Sequence, residues 1–193
     1  CGKSHYRKPF RISYKKTQPM QDEVNSKYFQ CEYDEQYCYP NSSVLKNKLN
    51  ITQQDKLDEA ERQITAVKLL ALKMSPIPGN LDFKHLCAIH SFIFSDIYNW
   101  AGISRSVNIS KGNFRFASIM YLKDALKQID NMPRSNFDEI IDKYIEMNIA
   151  HPFREGNTRT CITFLWHYLK GKGIDFQVAL LRNNPMYVRD SLV

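Results

Sequence analysis

The sequence predicts an all-α fold carrying one short β-hairpin. Three observations lead there. Apolar residues recur at three- and four-residue intervals in four separate segments, one stretch alternates apolar and polar residues instead, and Pro, Gly and Asn mark the boundaries between them.

The elements follow in order. Residues 21–50 are polar and aromatic, with Tyr28, Tyr33, Tyr37 and Tyr39 and the turn Tyr39-Pro40-Asn41, so they read as an irregular segment lying on a folded body. A first helix spans about Asp55–Lys73, with Leu57, Ala60, Ile64, Val67 and Ala71 on its buried face. Thr52 and Asp55 form its start signal, and Pro76 with Pro78-Gly79 ends it. A second helix covers about Phe83–Tyr98, burying Leu86, Ile89, Ile93 and Ile97. The pattern then changes to a β-hairpin over 103–117: Val107 and Ile109 alternate with polar neighbours, Ser110-Lys111-Gly112-Asn113 turns, and Phe114 and Phe116 alternate again. A helix near Tyr121–Asp130 breaks before Pro133. Another starts at Asn136 with Glu139 as capping partner and carries Ile140, Tyr144, Met147 and Ala150. One more opens after Gly156-Asn157, with Ile162, Leu165, Trp166 and Leu169 as its stripe and Gly171 as its stop. A last short helix is expected from Pro185 to Val193.

With 193 residues the chain suits one domain, over 21–193, preceded by an arm. Six of the seven net positive charges lie in residues 1–20, as Lys3, Arg7, Lys8, Arg11, Lys15 and Lys16 with no acid. The body is nearly neutral, and a solvated basic tail is the plain reading, so nucleic acid is not expected as a partner. No apolar run approaches the roughly 20 residues of a membrane span, and no membrane partner is expected. Cys1, Cys31, Cys38, Cys87 and Cys161 are odd in number and lack C-x-x-C spacing, which suggests neither a zinc site nor a disulfide framework and fits a reducing, cytoplasmic setting.

The chemistry gathers in one loop, from His151 to Arg159. A helix ends at Ala150, a tight turn follows, and a new helix opens at about Thr158. The first amides of a helix have no partner inside it, so they form an anion site. Asn157 and Arg159 add donors, and Arg159 can grip phosphate oxygens with two parallel bonds. Glu155 would repel phosphate there unless a divalent cation such as Mg²⁺ lay between them. His151, four residues upstream of Glu155, has the ordinary basicity of a neutral-pH proton acceptor. Taken alone, His151 reads as a helix-ending histidine and Glu155 as a solvated charge. Together they describe transfer of a nucleotide phosphate to a protonated nucleophile such as a hydroxyl. His85, His90 and His167 read as structural, and Lys111-Gly112-Asn113 lacks the frame of a P-loop.

This loop resembles the Fic motif, His-x-Phe-x-Asp/Glu-Gly-Asn-Gly-Arg-x-x-Arg, at His151, Phe153, Glu155, Gly156, Asn157 and Arg159. Tyr39-Pro40, Leu45 to Leu49, the Asp58–Leu72 helix, Trp100-Ala101-Gly102 and the Arg105–Phe116 hairpin are also similar to family members, so the resemblance covers roughly residues 35–190. It implies a Fic-type helical domain and a protein adenylyltransferase that moves AMP from ATP to a Ser, Thr or Tyr hydroxyl of a target protein. His151 would be the base and Glu155 the ligand of Mg²⁺. Gly156, Asn157, Thr158 and Arg159 would bind the ATP phosphates, and Phe153 would anchor the loop. The hairpin would be the flap that docks the target, through Val107, Ile109, Lys111 and Phe116. An inhibitory helix or an antitoxin is a further partner the resemblance implies, and a secreted effector is the alternative to a cytoplasmic enzyme.

Two positions depart from the motif. Thr158 stands where the motif has its second Gly, so the backbone there is either ordinary helix or strained, because a β-branched residue disfavours positive φ. Ile162 stands where it has its final Arg, a phosphate-holding residue in the family, and fits the apolar stripe instead. No complete Ser/Thr-x-x-x-Glu-Gly/Asn inhibitory pattern occurs in the sequence. Phosphorylation by a reversed nucleotide, AMP removal, and a non-catalytic Fic module are the rival functions. The Doc-like branch carries Lys where Thr158 stands, which disfavours phosphorylation. The intact His151, Glu155 and Arg159 set argues against a retired site.

Overall fold

A computed structural model describes residues 34–111 and 114–174; the basic arm and the expected Pro185–Val193 helix lie outside them. The described residues form five helices and one two-stranded antiparallel hairpin: α1 (Gln54–Met74), α2 (Phe83–Phe94), β1 (Ser110–Lys111), β2 (Phe114–Arg115), α3 (Ile119–Asp130), α4 (Phe137–Ala150) and α5 (Asn157–Gly171). The all-α expectation with one hairpin holds. Helix α5 packs against both α2 and α4, α1 packs on α2, and α3 packs on α4.

The core runs along these contacts. Leu86, Ile89, Ile93 and Phe94 of α2 meet Cys161, Phe164, Leu165 and Leu169 of α5, all buried. Ile140, Tyr144, Met147 and Ala150 of α4 are buried as their spacing predicts. The α4 cap also holds: Asn136 accepts the Glu139 amide at 2.9 Å, while the Glu139 carboxylate reaches back to the Ser135 amide. Residues 34–50 are largely irregular, tied by an isolated Cys38–Leu45 bridge.

Several boundaries and faces differ from the sequence reading. Helix α1 has Gln53 as its cap, with no side-chain capping bond from Thr52 or any neighbour. It turns Leu57, Thr65 and Leu72 inward, and Val67 and Ala71, expected to be buried, face solvent. The reason is polar: Glu61 and Thr65 on this face meet partners on the rest of the molecule, and an apolar count does not see them. Helix α2 ends at Phe94, and turns carry the chain through the buried Ile97 and Tyr98. On α5, Ile162 and Trp166 are half-buried, and Phe164 and Cys161 take the inner face. Gly171 is still helical. The left-handed residue that ends α5 is Gly173, whose amide bonds the Lys170 carbonyl while Ile174 bonds that of Leu169.

Candidate active site

The loop from α4 to α5 is built around a left-handed residue. His151 caps α4 at φ 50°, ψ 61°. A non-glycine residue pays roughly 1–2 kcal/mol for that backbone, so the surroundings must over-determine it. They do. The His151 ring stacks on Phe116 at 3.7 Å between centroids. The buried Arg105 donates from Nε to the His151 carbonyl at 2.8 Å, from Nη1 to Val107 at 2.6 Å, and from Nη2 to the carbonyls of Ala117 and Ala150. One guanidinium thus joins the end of α4 to both roots of the hairpin.

The imidazole is oriented by its own helix. Nδ1 lies 3.0 Å from the Asn148 carbonyl. A carbonyl only accepts, so Nδ1 carries the proton and Nε2 carries the basic lone pair. Burial pushes the ring's pKa down to about 4, and the Arg105 and Lys111 charges act in the same direction against the Asn148 bond. At neutral pH His151 is therefore a neutral ring with a defined tautomer.

The rest of the loop is anchored from below. Phe153 is fully buried and stacks on His90 at 3.8 Å. His90 Nδ1 accepts the Gly102 amide at 2.8 Å, which leaves Nε2–H to donate to the Glu155 carbonyl at 2.9 Å. The structural reading of His90 holds, and the loop is what it supports. Gly156 sits at φ 78°, and a Cβ there would overlap the Phe94 ring; backbone and space both demand glycine.

Asn157 corrects an expectation. Its side chain is buried and closed within the loop, accepting the Phe153 amide and donating to the Phe153 carbonyl, each at 2.8 Å. It is not a free donor, and only its main-chain N–H remains for an anion. Helix α5 begins at Asn157, one residue before the expected start. Among the described residues the amides of Asn157, Thr158 and Arg159 have no partner, as the first turn of a helix dictates. Thr158 is exposed and has ordinary helical backbone.

Glu155 Oε1 accepts the Gly156 amide at 2.8 Å and lies 3.3 Å from Arg159 Nη2. Burial and the neighbouring Glu61 raise its pKa. Arg159 itself is held by more than this loop. Its Nη2 meets Glu61 Oε1 of α1 at 2.5 Å, and its guanidinium carbon lies 4.9 Å from the centre of the Phe94 ring. Burial opposes its charge, but Glu61 and Glu155 outweigh that and move its pKa up. On the hairpin side, Lys111 is exposed, Ile109 is buried and Val107 is half-buried. The strands pair Ser110 with Arg115 and Lys111 with Phe114, so Val107 and Ile109 lie before the short ladder rather than in it. His151, Glu155, Gly156, Arg159 and Phe116 thus share one region, with the hairpin beside the imidazole.

This arrangement has known counterparts. A model of the Fic/DOC family matches residues 80–169. A probable protein adenylyltransferase, y4lH, of Sinorhizobium fredii is 35% identical over 168 residues, covering 81% of this chain and 85% of that protein. The chain belongs to the Fic/DOC family. A probable protein adenylyltransferase Fic of Salmonella typhimurium is 34% identical over 132 residues, covering 63% of this Fic chain and 65% of the relative. Among solved structures, the N-terminal Fic domain of a VirB-translocated Bep effector protein from Bartonella quintana, with bound ADP, is 25% identical with a TM-score of 0.65, covering 76% of this chain and 80% of that one.

Within the Fic loop, the residues that pattern reading missed are those that hold it from elsewhere. Arg105, Phe94 and Glu61 reach it from 46, 62 and 94 positions upstream, counted to His151, Gly156 and Glu155. Only an arginine at the start of the alternating segment, and an acid on the inner row of α1, could have signalled two of them. Among the described residues no helix is long and apolar enough to cross a membrane, and no group of three or more His, Cys, Asp or Glu side chains is placed to hold a metal.

Proposed function

We propose that this Fic protein transfers AMP from ATP to a hydroxyl of a target protein, in a cytoplasmic setting. The observation that carries the reading is His151: a neutral imidazole whose tautomer is set by the Asn148 carbonyl, beside a helix end with unpaired amides.

In this reading the amides of Asn157, Thr158 and Arg159, with the Arg159 guanidinium, take the phosphates of ATP. Gly156 contributes mainly by letting the backbone approach, since its own amide is engaged by Glu155. His151 Nε2 accepts the proton of a Ser, Thr or Tyr hydroxyl as its oxygen attacks the α-phosphorus, and pyrophosphate leaves. The hairpin, with Val107, Ile109, Lys111 and Phe116, presents the target's chain, and Phe116 keeps the imidazole face covered.

The donor set suits Mg²⁺. Glu155 is one hard oxygen ligand beside a phosphate cradle, and Mg²⁺ is commonly held by one or two carboxylates plus phosphate oxygens. Bound there, it would neutralise phosphate charge that Glu155 otherwise repels.

Incubation with Mg²⁺ and either α-labelled or γ-labelled ATP tests the reading. Protein-bound label from the α position alone is expected. Label from the γ position alone would make the enzyme a phosphotransferase, and release of AMP from a pre-modified target without new labelling would make it a de-AMPylase.

A further inference from the structure

The carboxylate of Glu61 lies outside the motif loop, on α1, yet it touches the loop's arginine directly. Its side chain is 13% exposed. Each oxygen has its own partner: Oε2 accepts the Tyr98 hydroxyl at 2.5 Å, and Oε1 accepts Arg159 Nη2 at 2.5 Å. Burial and the Glu61 charge raise the Tyr98 pKa, so that hydroxyl stays protonated and donates. Arg159 is then bounded on four sides. Glu61 holds one edge, Thr65 Oγ1 lies 3.5 Å from Nη1, Glu155 lies 3.3 Å from Nη2, and Phe94 underlies the plane. The same Phe94 ring fills the space beside Gly156.

We propose that Glu61 is a positioning residue for the phosphate-binding Arg159, and that Tyr98 fixes Glu61 in turn. The inference rests on the adenylyltransferase reading above. A free arginine side chain has considerable rotamer freedom, and fixing it before the ligand arrives removes that entropy loss from the binding step. Glu61 does this without belonging to the loop, because α1 packs on α2 and carries the carboxylate to the start of α5. It also sets the local charge. Two carboxylates face one guanidinium, and part of the upward shift at Glu155 comes from Glu61. A plain strut between α1 and α5 would give stability and nothing else. A carboxylate that kept Arg159 away from phosphate would weaken binding.

The test compares ADP affinity by calorimetry, without added metal, and melting temperature in wild type, Glu61→Gln, Tyr98→Phe, Arg159→Ala and the Glu61→Gln/Arg159→Ala double variant. Glutamine keeps the shape but turns an amide N–H toward one of the two donors. Loss of a charge-assisted contact corresponds to about a tenfold effect or more. The expected result is about tenfold weaker ADP binding in Glu61→Gln, a smaller loss in Tyr98→Phe, and no further loss when Glu61→Gln is added to Arg159→Ala. Unchanged affinity with a lowered melting temperature would make Glu61 a strut, and tighter binding would make it a sequestering residue; either overturns the proposal. If Glu61→Gln does not fold, Tyr98→Phe decides, since it removes one hydroxyl and leaves the ring: wild-type affinity in that variant overturns the relay. A wild-type protein that bound no ADP either without metal or with Mg²⁺ would defeat the adenylyltransferase reading itself, whereas wild-type binding lost in Arg159→Ala but kept in Glu61→Gln defeats only this inference.

Discussion

At the scale of single residues, the site depends on side chains whose ionisation and backbone are set by neighbours. His151→Ala removes the proposed base and leaves the α5 amides in place. AMP transfer should fall by about 10²–10⁴, the usual contribution of a positioned base, while ADP affinity stays within a few-fold; single-turnover labelling and calorimetry measure the two. Ile162 is the second informative position. It is half-buried against the core, three residues beyond Arg159 on α5. An arginine there would lie along the same side of the helix. Ile162→Arg should raise the ATP-to-ADP affinity ratio roughly tenfold or more, as one charge-assisted bond allows, and should lower the melting temperature because part of the guanidinium enters apolar surroundings. A ratio unchanged in a folded protein would show that residue 162 does not reach the γ-phosphate.

At the scale of elements, the hairpin and the α4–α5 loop act as one piece. Arg105 ties Val107 and Ala117 to Ala150 and His151, and Phe116 lies on the imidazole. A flap mutation is therefore expected to reach the base unless it is chosen with care. Ile109 is buried, so a charge there would disturb packing as well as docking. Val107 is half-buried and precedes the ladder, and Val107→Pro removes an N–H that a paired target strand would use. Target modification should fall several-fold while self-modification elsewhere on the chain is kept. Equal loss of both activities would mean that the change had travelled through Arg105 to His151.

At the scale of the whole molecule, the buried histidines make stability depend on pH. Burial lowers the pKa of His85, and lowers those of His90, His151 and His167 to about 4. The unfolded chain takes up protons near pH 6.5, before the folded chain does, so the stability these groups supply is present above about pH 6.5 and is lost as pH falls toward 4. Glu155 and Asp130, whose carboxyls are raised, act in the opposite sense but are fewer. The melting temperature should therefore decline between pH 6.5 and 4, and a flat profile over that window would show that the histidines are not held neutral by the fold.

Much of this protein was legible in its sequence, and the division has a physical cause. Helix positions follow from local spacing, and caps such as Asn136 with Glu139 from residues three apart. The motif loop is local too: an ending helix, a glycine turn and an opening helix keep His151, Glu155 and Arg159 within one short stretch of chain. Sequence narrowed Thr158 to helical or strained backbone, and the structure makes it helical. Tertiary structure decided what local spacing leaves open. It turned α1 so that Glu61 and Thr65 face Arg159 and Val67 faces solvent. It closed the Asn157 side chain on Phe153, put His151 in a left-handed conformation, and brought Arg105 and Phe94 beneath the loop. Those contacts join residues tens of positions apart. They depend on which helix faces meet, and a pattern read along one segment carries no information about its partner.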